Sequence, residues 1–178
     1  MLAPRKTLWS TPDTIISTAW TWIRPLLEED SKLCDVGCGD GRVLLSWARA
    51  YTAEKSSQKP PTFWGIDIDS ERIQQAQREL ERAQQEGSID PALSITFLCL
   101  NALEHVSLFA DAHILFLYLI PRGLRLMYPL LTNQYVVTYM APLSTDETPL
   151  RHEMIAVPHQ PGAAWPLYLY KLNKSRLE

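Results

Sequence analysis

Apolar residues recur along this chain with two periods. Ile15, Ile16, Ala19, Trp20 and Ile23 follow helical spacing. Thr11-Pro12-Asp13 ahead of them reads as a helix start: a capping hydroxyl, a proline suited to the first helical position and an acid at the positive end of the dipole. Pro25 ends or kinks that helix. Lys32 to Val36 is short, partly apolar and followed at once by Gly37, which predicts a buried strand. Arg42 to Tyr51 returns to helical spacing through Val43, Leu44, Trp47, Ala48 and Tyr51. Ala53 to Thr62 is polar, holds Pro60 and Pro61, and reads as a surface loop. Phe63 to Asp67 predicts a second strand. Asp69 or Ser70 then caps a helix with the apolar face Ile73, Ala76, Leu80 and Ala83, stopped by Gly87.

Three further strands are predicted at Leu93 to Leu100, Ala112 to Tyr118 and Tyr135 to Met140, with a short helix over Pro121 to Leu131. Strands that are apolar on both faces call for a parallel sheet covered by helices on both sides. The last forty residues differ in character. Met154 to Val157 and Trp165 to Leu172 flank Pro158-His159-Gln160-Pro161-Gly162, a hairpin signal, with Pro166 tolerated near a strand start.

Composition narrows the picture. A chain of 178 residues fits one domain. With 46% hydrophobic and 21% charged residues, disorder over the whole chain is excluded. A net charge of −3 disfavours a general nucleic-acid binder. Cys34, Cys38 and Cys99 make no disulfide framework, and the four histidines are scattered. No metal centre is therefore expected, and a reducing, cytoplasmic compartment is the simplest reading. No apolar run reaches the length of a membrane span, and no signal peptide is evident. Met1 to Ser10 holds Arg5 and Lys6 and no acid, which leaves a mitochondrial address open.

The chemistry concentrates in Cys34-Asp35-Val36-Gly37-Cys38-Gly39-Asp40-Gly41-Arg42, where a strand runs into a glycine turn that opens a helix. Such a turn lets backbone approach a ligand, and the helix start favours negative charge. The pattern is D-x-G-x-G-x-G. The dinucleotide fingerprint GxGxxG would need glycine where Arg42 stands, and a large side chain there obstructs the helix packing that fingerprint requires.

That segment resembles the first motif of class I S-adenosylmethionine-dependent methyltransferases. Gly65-Ile66-Asp67-Ile68-Asp69 is similar to their second motif, and Leu100-Asn101-Ala102-Leu103-Glu104 stands where their third usually reads Gly-Asp-Ala. The resemblance implies a Rossmann-like, seven-stranded, mostly parallel sheet with a C-terminal antiparallel hairpin. It implies S-adenosylmethionine as cofactor. Asp67 would then accept from the ribose hydroxyls, and Ile68 would lie on the adenine face. Asn101, in place of the usual Asp, would accept from the adenine amino group, with Ala102 beside it at the cofactor. Gly37, Cys38 and Gly39 would form the loop at the methionine end, and Asp35 would either order that loop or meet the methionine amino group.

A narrower resemblance rests on Thr11-Pro12, on Gly39-Asp40-Gly41-Arg42, and on Ile120-Pro121, Leu126 and Pro129. These are similar to a family of small protein-lysine methyltransferases that includes the mitochondrial enzymes acting on ATP synthase c-subunit and adenine nucleotide translocase. It implies a lid helix over residues 11–29, with Thr11 and Pro12 at the cofactor, ahead of a core over 32–140 and a hairpin over 151–172. Two departures stand: Asp67 where many members carry Glu, and no membrane-targeting segment ahead of the core. In an open parallel sheet, ligands bind beyond the carboxyl ends of the strands. That puts Tyr118, Leu119 and Pro121 at the acceptor. It rejects Asp111 as a base, since seven residues of strand span roughly 20 Å. A protein lysine is the expected acceptor and a nucleic acid is disfavoured. A small-molecule acceptor, or a non-catalytic binding module of the same fold, are the alternatives.

Overall fold

The computed structural model describes residues 10–54, 59–158 and 161–173. The region of the mitochondrial address, residues 1–9, lies outside them, as do His159 and Gln160 of the hairpin turn. Among the described residues no helix is long and apolar enough to cross a membrane.

The elements, in order, are α1 Asp13–Ile23, β1 Lys32–Val36, α2 Arg42–Ala53, β2 Thr62–Asp67, α3 Ser70–Gln85, β3 Ile95–Cys99, α4 Ser107–Ala110, β4 Ile114–Leu117, α5 Pro121–Met127, β5 Tyr135–Tyr139, β6 Arg151–Ala156 and β7 Ala164–Lys171. The seven strands form one sheet in the order β3-β2-β1-β4-β5-β7-β6. β1 to β5 are parallel, and β7 runs antiparallel to both of its neighbours. This is the Rossmann-like architecture expected, hairpin included. The order reverses between β1 and β4, so a crevice opens beyond their carboxyl ends.

Strand alternation divides the core in two. On one face Leu33, Phe63, Ile114 and Phe116 pack with α1, α2 and α3. On the other, Cys34, Val36, Ile66, Leu115 and Leu117 pack with α5 and the segment around Phe109. Both faces are covered, which is why the strands read as unbroken apolar runs.

Several boundaries shift. Pro12, not Thr11, is the N-cap of α1, with extended backbone and no side-chain cap bond, so Asp13 is the first helical residue. Pro25 sits in a single 3-10 turn, Arg24–Leu26, after the helix has ended. Between β3 and β4 lie a 3-10 turn, Ala102–Glu104, and the four-residue α4, which periodicity did not predict because neither is long enough to repeat. Pro166 is the third residue of β7, opposite Met154.

One buried polar residue ties this irregular region down. Gln134, 1% exposed, donates from Nε2 to the carbonyls of Phe109 at 2.6 Å and Ala112 at 3.0 Å, and reaches that of Ala110 at 3.3 Å. It fixes the entry to β4 from the start of β5. Gln134→Leu strands these carbonyls without water. The variant is expected to lose about 2–3 kcal/mol, which thermal unfolding should read as a fall in Tm of roughly 5–10 °C.

Candidate functional site

The loop after β1 turns on three glycines with positive φ: Gly37 at 82°, Gly39 at 54° and Gly41 at 76°. Gly41 is also a packing position. A Cβ there would stand 2.7 Å from Phe97 Cζ and 2.9 Å from Ala76 Cβ. The tight helix-to-sheet approach thus falls at Gly41, and Arg42 beyond it is free to point elsewhere. Gly65 gives room for a different reason: a Cβ on it would meet Cys38 Sγ at 2.7 Å. The loop's second residue seats on β2 because β2 has no side chain there.

The end of β2 holds the loop by hydrogen bonds. The Ile66 carbonyl accepts from the N–H groups of Gly37 at 2.7 Å and Cys38 at 3.1 Å. Asp67, 9% exposed, accepts from Gly39 N–H through Oδ2 at 2.8 Å and from Asp69 N–H through Oδ1 at 2.9 Å. Asp69 is the N-cap of α3, its Oδ1 accepting from Glu71 N–H at 3.0 Å and Arg72 N–H at 3.3 Å. After β3, Asn101 caps the 3-10 turn: its Oδ1 accepts from Leu103 N–H at 3.2 Å, and its Nδ2 donates to Glu104 at 2.8 Å.

A cavity of about 400 Å³ opens over these groups, within the roughly 300–1,000 Å³ of small-molecule sites. Its wall brings together Thr11, Asp35, Gly37, Cys38, Gly39, Asp67, Ile68, Asn101 and Ala102 with Tyr118, Leu119 and Pro121. Of the residues expected at the site, Pro12 alone is not in the wall. Asp111 precedes β4 and Tyr118 follows it, so the two stand at opposite ends of that strand.

Among the wall residues that sequence reasoning missed are Ser10, Asp40, Arg42 and Met140. Arg42 donates from Nη1 to the Thr11 carbonyl at 3.2 Å and pairs with Asp40 at 3.8 Å; its Nε is buried with no hydrogen-bond acceptor. Its place in the first turn after the glycine loop was the available signal. Met140 was signalled by its position just past the carboxyl end of β5.

Asp35, Asp40 and Asp67 share the wall with Arg42 and Arg72, which pair with Asp40 and Asp69. Asp35, 2% exposed, has its carboxyl pushed well above the usual range, first by burial, then by the Asp67 and Asp40 charges. Burial likewise pushes the Cys34 and Cys38 thiols up, so both are held as thiols. A concave wall with crowded carboxyls and exposed loop backbone suits a ligand that carries positive charge.

A raised carboxyl pKa means that the folded chain holds a proton the unfolded chain has released. Stability therefore falls as pH climbs from the ordinary Asp value, about 3.9, to the raised one, and is level above it. Asp35→Asn removes this loss. The difference in unfolding free energy between the variant and the parent should grow with pH across that window, read from urea titrations at stepped pH.

Comparison with known proteins places these features. Residues 27–107 match a family model described as a methyltransferase domain. No curated protein matches the chain in sequence. Among solved structures, the fold is similar to magnesium protoporphyrin IX methyltransferase from Synechocystis PCC 6803 with bound S-adenosylmethionine. The two share 15% identity at a TM-score of 0.62, over 89% of this chain and 78% of that one. The same enzyme with bound S-adenosylhomocysteine superimposes at 0.62 and 12% identity, over 89% of this chain and 82% of that one. A S-adenosylmethionine-dependent methyltransferase from Methanosarcina mazei superimposes at 0.59 and 15% identity, over 86% of this chain and 98% of that one. Residues 27–107 thus match a methyltransferase domain model, and the fold around them is similar to that of these S-adenosylmethionine-dependent methyltransferases.

Proposed function

We propose that this protein transfers a methyl group from S-adenosylmethionine to a lysine side chain of a protein. The domain match and the fold carry the first half of that statement. The residues present fit the cofactor. It bears a sulfonium and an ammonium, and the cavity gathers Asp35, Asp40 and Asp67 around a backbone loop whose glycines leave room for close approach. Asp35 and the loop would hold its methionine end, Asp67 and Ile68 its ribose and adenine. Asn101, already bound to its own turn, would offer the adenine edge an amide in place of a carboxylate. When bound, the cofactor supplies an activated methyl group and its own leaving group.

The observation that carries the lysine reading is the lip after β4. Tyr118 and Leu119 are half-buried in the cavity wall, and Ile120 and Pro121 continue it to the exposed rim. Leu119 Cδ2 lies 3.0 Å from where a Gly37 Cβ would stand, so the lip abuts the glycine loop directly. Along it the Tyr118 hydroxyl is the one polar side-chain group. An unbranched methylene stem packs on such a surface and delivers its terminal amine inward. A flipped base needs donors and acceptors for its edge, and this lip offers one. Desolvation by Leu119 and Ile120 favours the neutral amine, whose free pKa is about 10.4, and so prepares it to attack. Rate then comes chiefly from holding the amine in line. The helix start at Thr11, tied to the loop through Arg42, closes the wall on another side.

Incubation with radiolabelled cofactor and a lysate tests the acceptor. Label should survive nuclease, be lost to protease and yield methyl-lysine on hydrolysis; label confined to nucleic acid or a small metabolite would sink the lysine reading and leave methyl transfer standing. The cofactor site has its own test by calorimetry. Asp67→Ala should weaken S-adenosylmethionine by roughly 10- to 100-fold, losing both the ribose contact and the anchor of Gly39. Asp69→Ala should cost about 1 kcal/mol of stability as a lost helix cap, with affinity close to the parent. The reverse ranking would move the ribose contact to Asp69.

A further inference from the structure

β5 is followed at once by a strained residue that the cofactor and lip do not explain. Met140 has φ 68°, in the left-handed region, where Cβ crowds the following carbonyl. Among the described residues only Asp30 shares this region without being glycine. Asp30 lies in an exposed turn and has the short polar side chain that tolerates it. Met140 has neither excuse.

Its neighbours impose the conformation. The Met140 N–H donates to the Pro166 carbonyl at 2.9 Å. Thr138, fully buried, donates from its hydroxyl to the Ala141 carbonyl at 2.8 Å. The turn is therefore clamped on both sides of the strained residue, and strain held this way gathers at functional sites. What the conformation achieves is direction. The Met140 side chain joins the cavity wall, and its Sδ accepts the Tyr118 hydroxyl at 3.2 Å. The Tyr118 ring packs on Tyr139, centroids 4.7 Å apart and planes tilted by 56°, which fixes the hydroxyl's position.

A thioether sulfur has no proton to give and accepts only weakly. It can accept the Tyr118 hydroxyl's hydrogen bond and can never donate one. With that proton directed to sulfur, the phenol oxygen meets an incoming group as an acceptor. This selects for a group that brings its own N–H.

We propose that Met140 is a positioning residue: its thioether turns the Tyr118 hydroxyl so that the oxygen accepts a hydrogen bond from an amine entering over the lip. This rests on the lysine reading, and gives the chain a reason to keep a strained methionine where glycine would sit at ease.

Two cofactor analogues test it on the full chain without knowledge of the acceptor. S-adenosylhomocysteine has no methyl group. Sinefungin carries an amine on a carbon that replaces the methylsulfonium, so it puts an N–H donor beside the transfer point. Calorimetry should show the parent binding sinefungin more tightly by roughly tenfold or more, the effect of one hydrogen bond to a charged group. Tyr118→Phe should erase that preference. Met140→Leu, which keeps bulk and loses sulfur, should reduce it several-fold, and so should Met140→Gly. A purely structural role would lower both affinities together and leave their ratio alone. Met140→Gly should fold with a Tm equal to or above the parent's, since glycine accepts φ 68° without strain. An undiminished ratio in both Met140 variants overturns the proposal. So does a parent that binds S-adenosylhomocysteine but shows no preference for sinefungin, with the cofactor reading then intact. No binding of S-adenosylhomocysteine overturns the two readings together.

Discussion

The carboxylate of Asp67 is the interaction on which the site depends. It is buried at the end of β2, and each of its oxygens accepts a backbone N–H, one from the glycine loop and one from the turn into α3. A buried charge is costly unless it is hydrogen-bonded in this way, and the amides it satisfies would otherwise be orphaned themselves. With the Ile66 carbonyl taking Gly37 and Cys38, four amides of two loops are referred to one strand end. The glycine loop is therefore a fixed edge of the sheet.

Anchoring the loop with acids has an electrostatic consequence. Asp35, Asp40 and Asp67 surround it, and the two arginines of the wall are engaged, Arg42 with Asp40 and the Thr11 carbonyl, Arg72 with Asp69. Burial leaves Asp35 holding its proton beyond the usual range. The site thus has its acidic groups gathered and held before any ligand arrives, and a preorganised environment of that kind needs little rearrangement on binding.

Much of this was legible in the sequence because it is local or periodic. The β1 boundaries, Lys32 and Val36, follow from a short apolar run stopped by glycine, and Asp69 announces itself as a cap by its place before Ile73 and Ala76. A parallel sheet covered on both sides followed from strands apolar on both faces. What escaped was set by tertiary contact. Thr11 looks like a cap, yet its carbonyl is taken by a side chain 31 residues away, and Pro12 has the capping position. Gln134 reads as an ordinary polar residue between strands and is instead the bolt of a helical segment too short to show a period. Met140 looks like the last residue of an apolar strand, and nothing in its type predicts a positive φ.

The placement of α1 bears on how the chain matures. α1 lies against α2 and against β6 and β7, and Thr14 reaches the Ala156 carbonyl at 3.4 Å. Thr11, at the start of α1, forms part of the cavity wall. The earliest described helix thus rests on the last two strands. On a ribosome, where synthesis proceeds from the amino end, α1 emerges before each of these partners and waits longest for β6 and β7. The glycine loop and β2 can pair well before, but the wall is complete only once β7 has left the exit tunnel. A growing chain is in this way denied a finished site until β6 and β7 have folded back on α1.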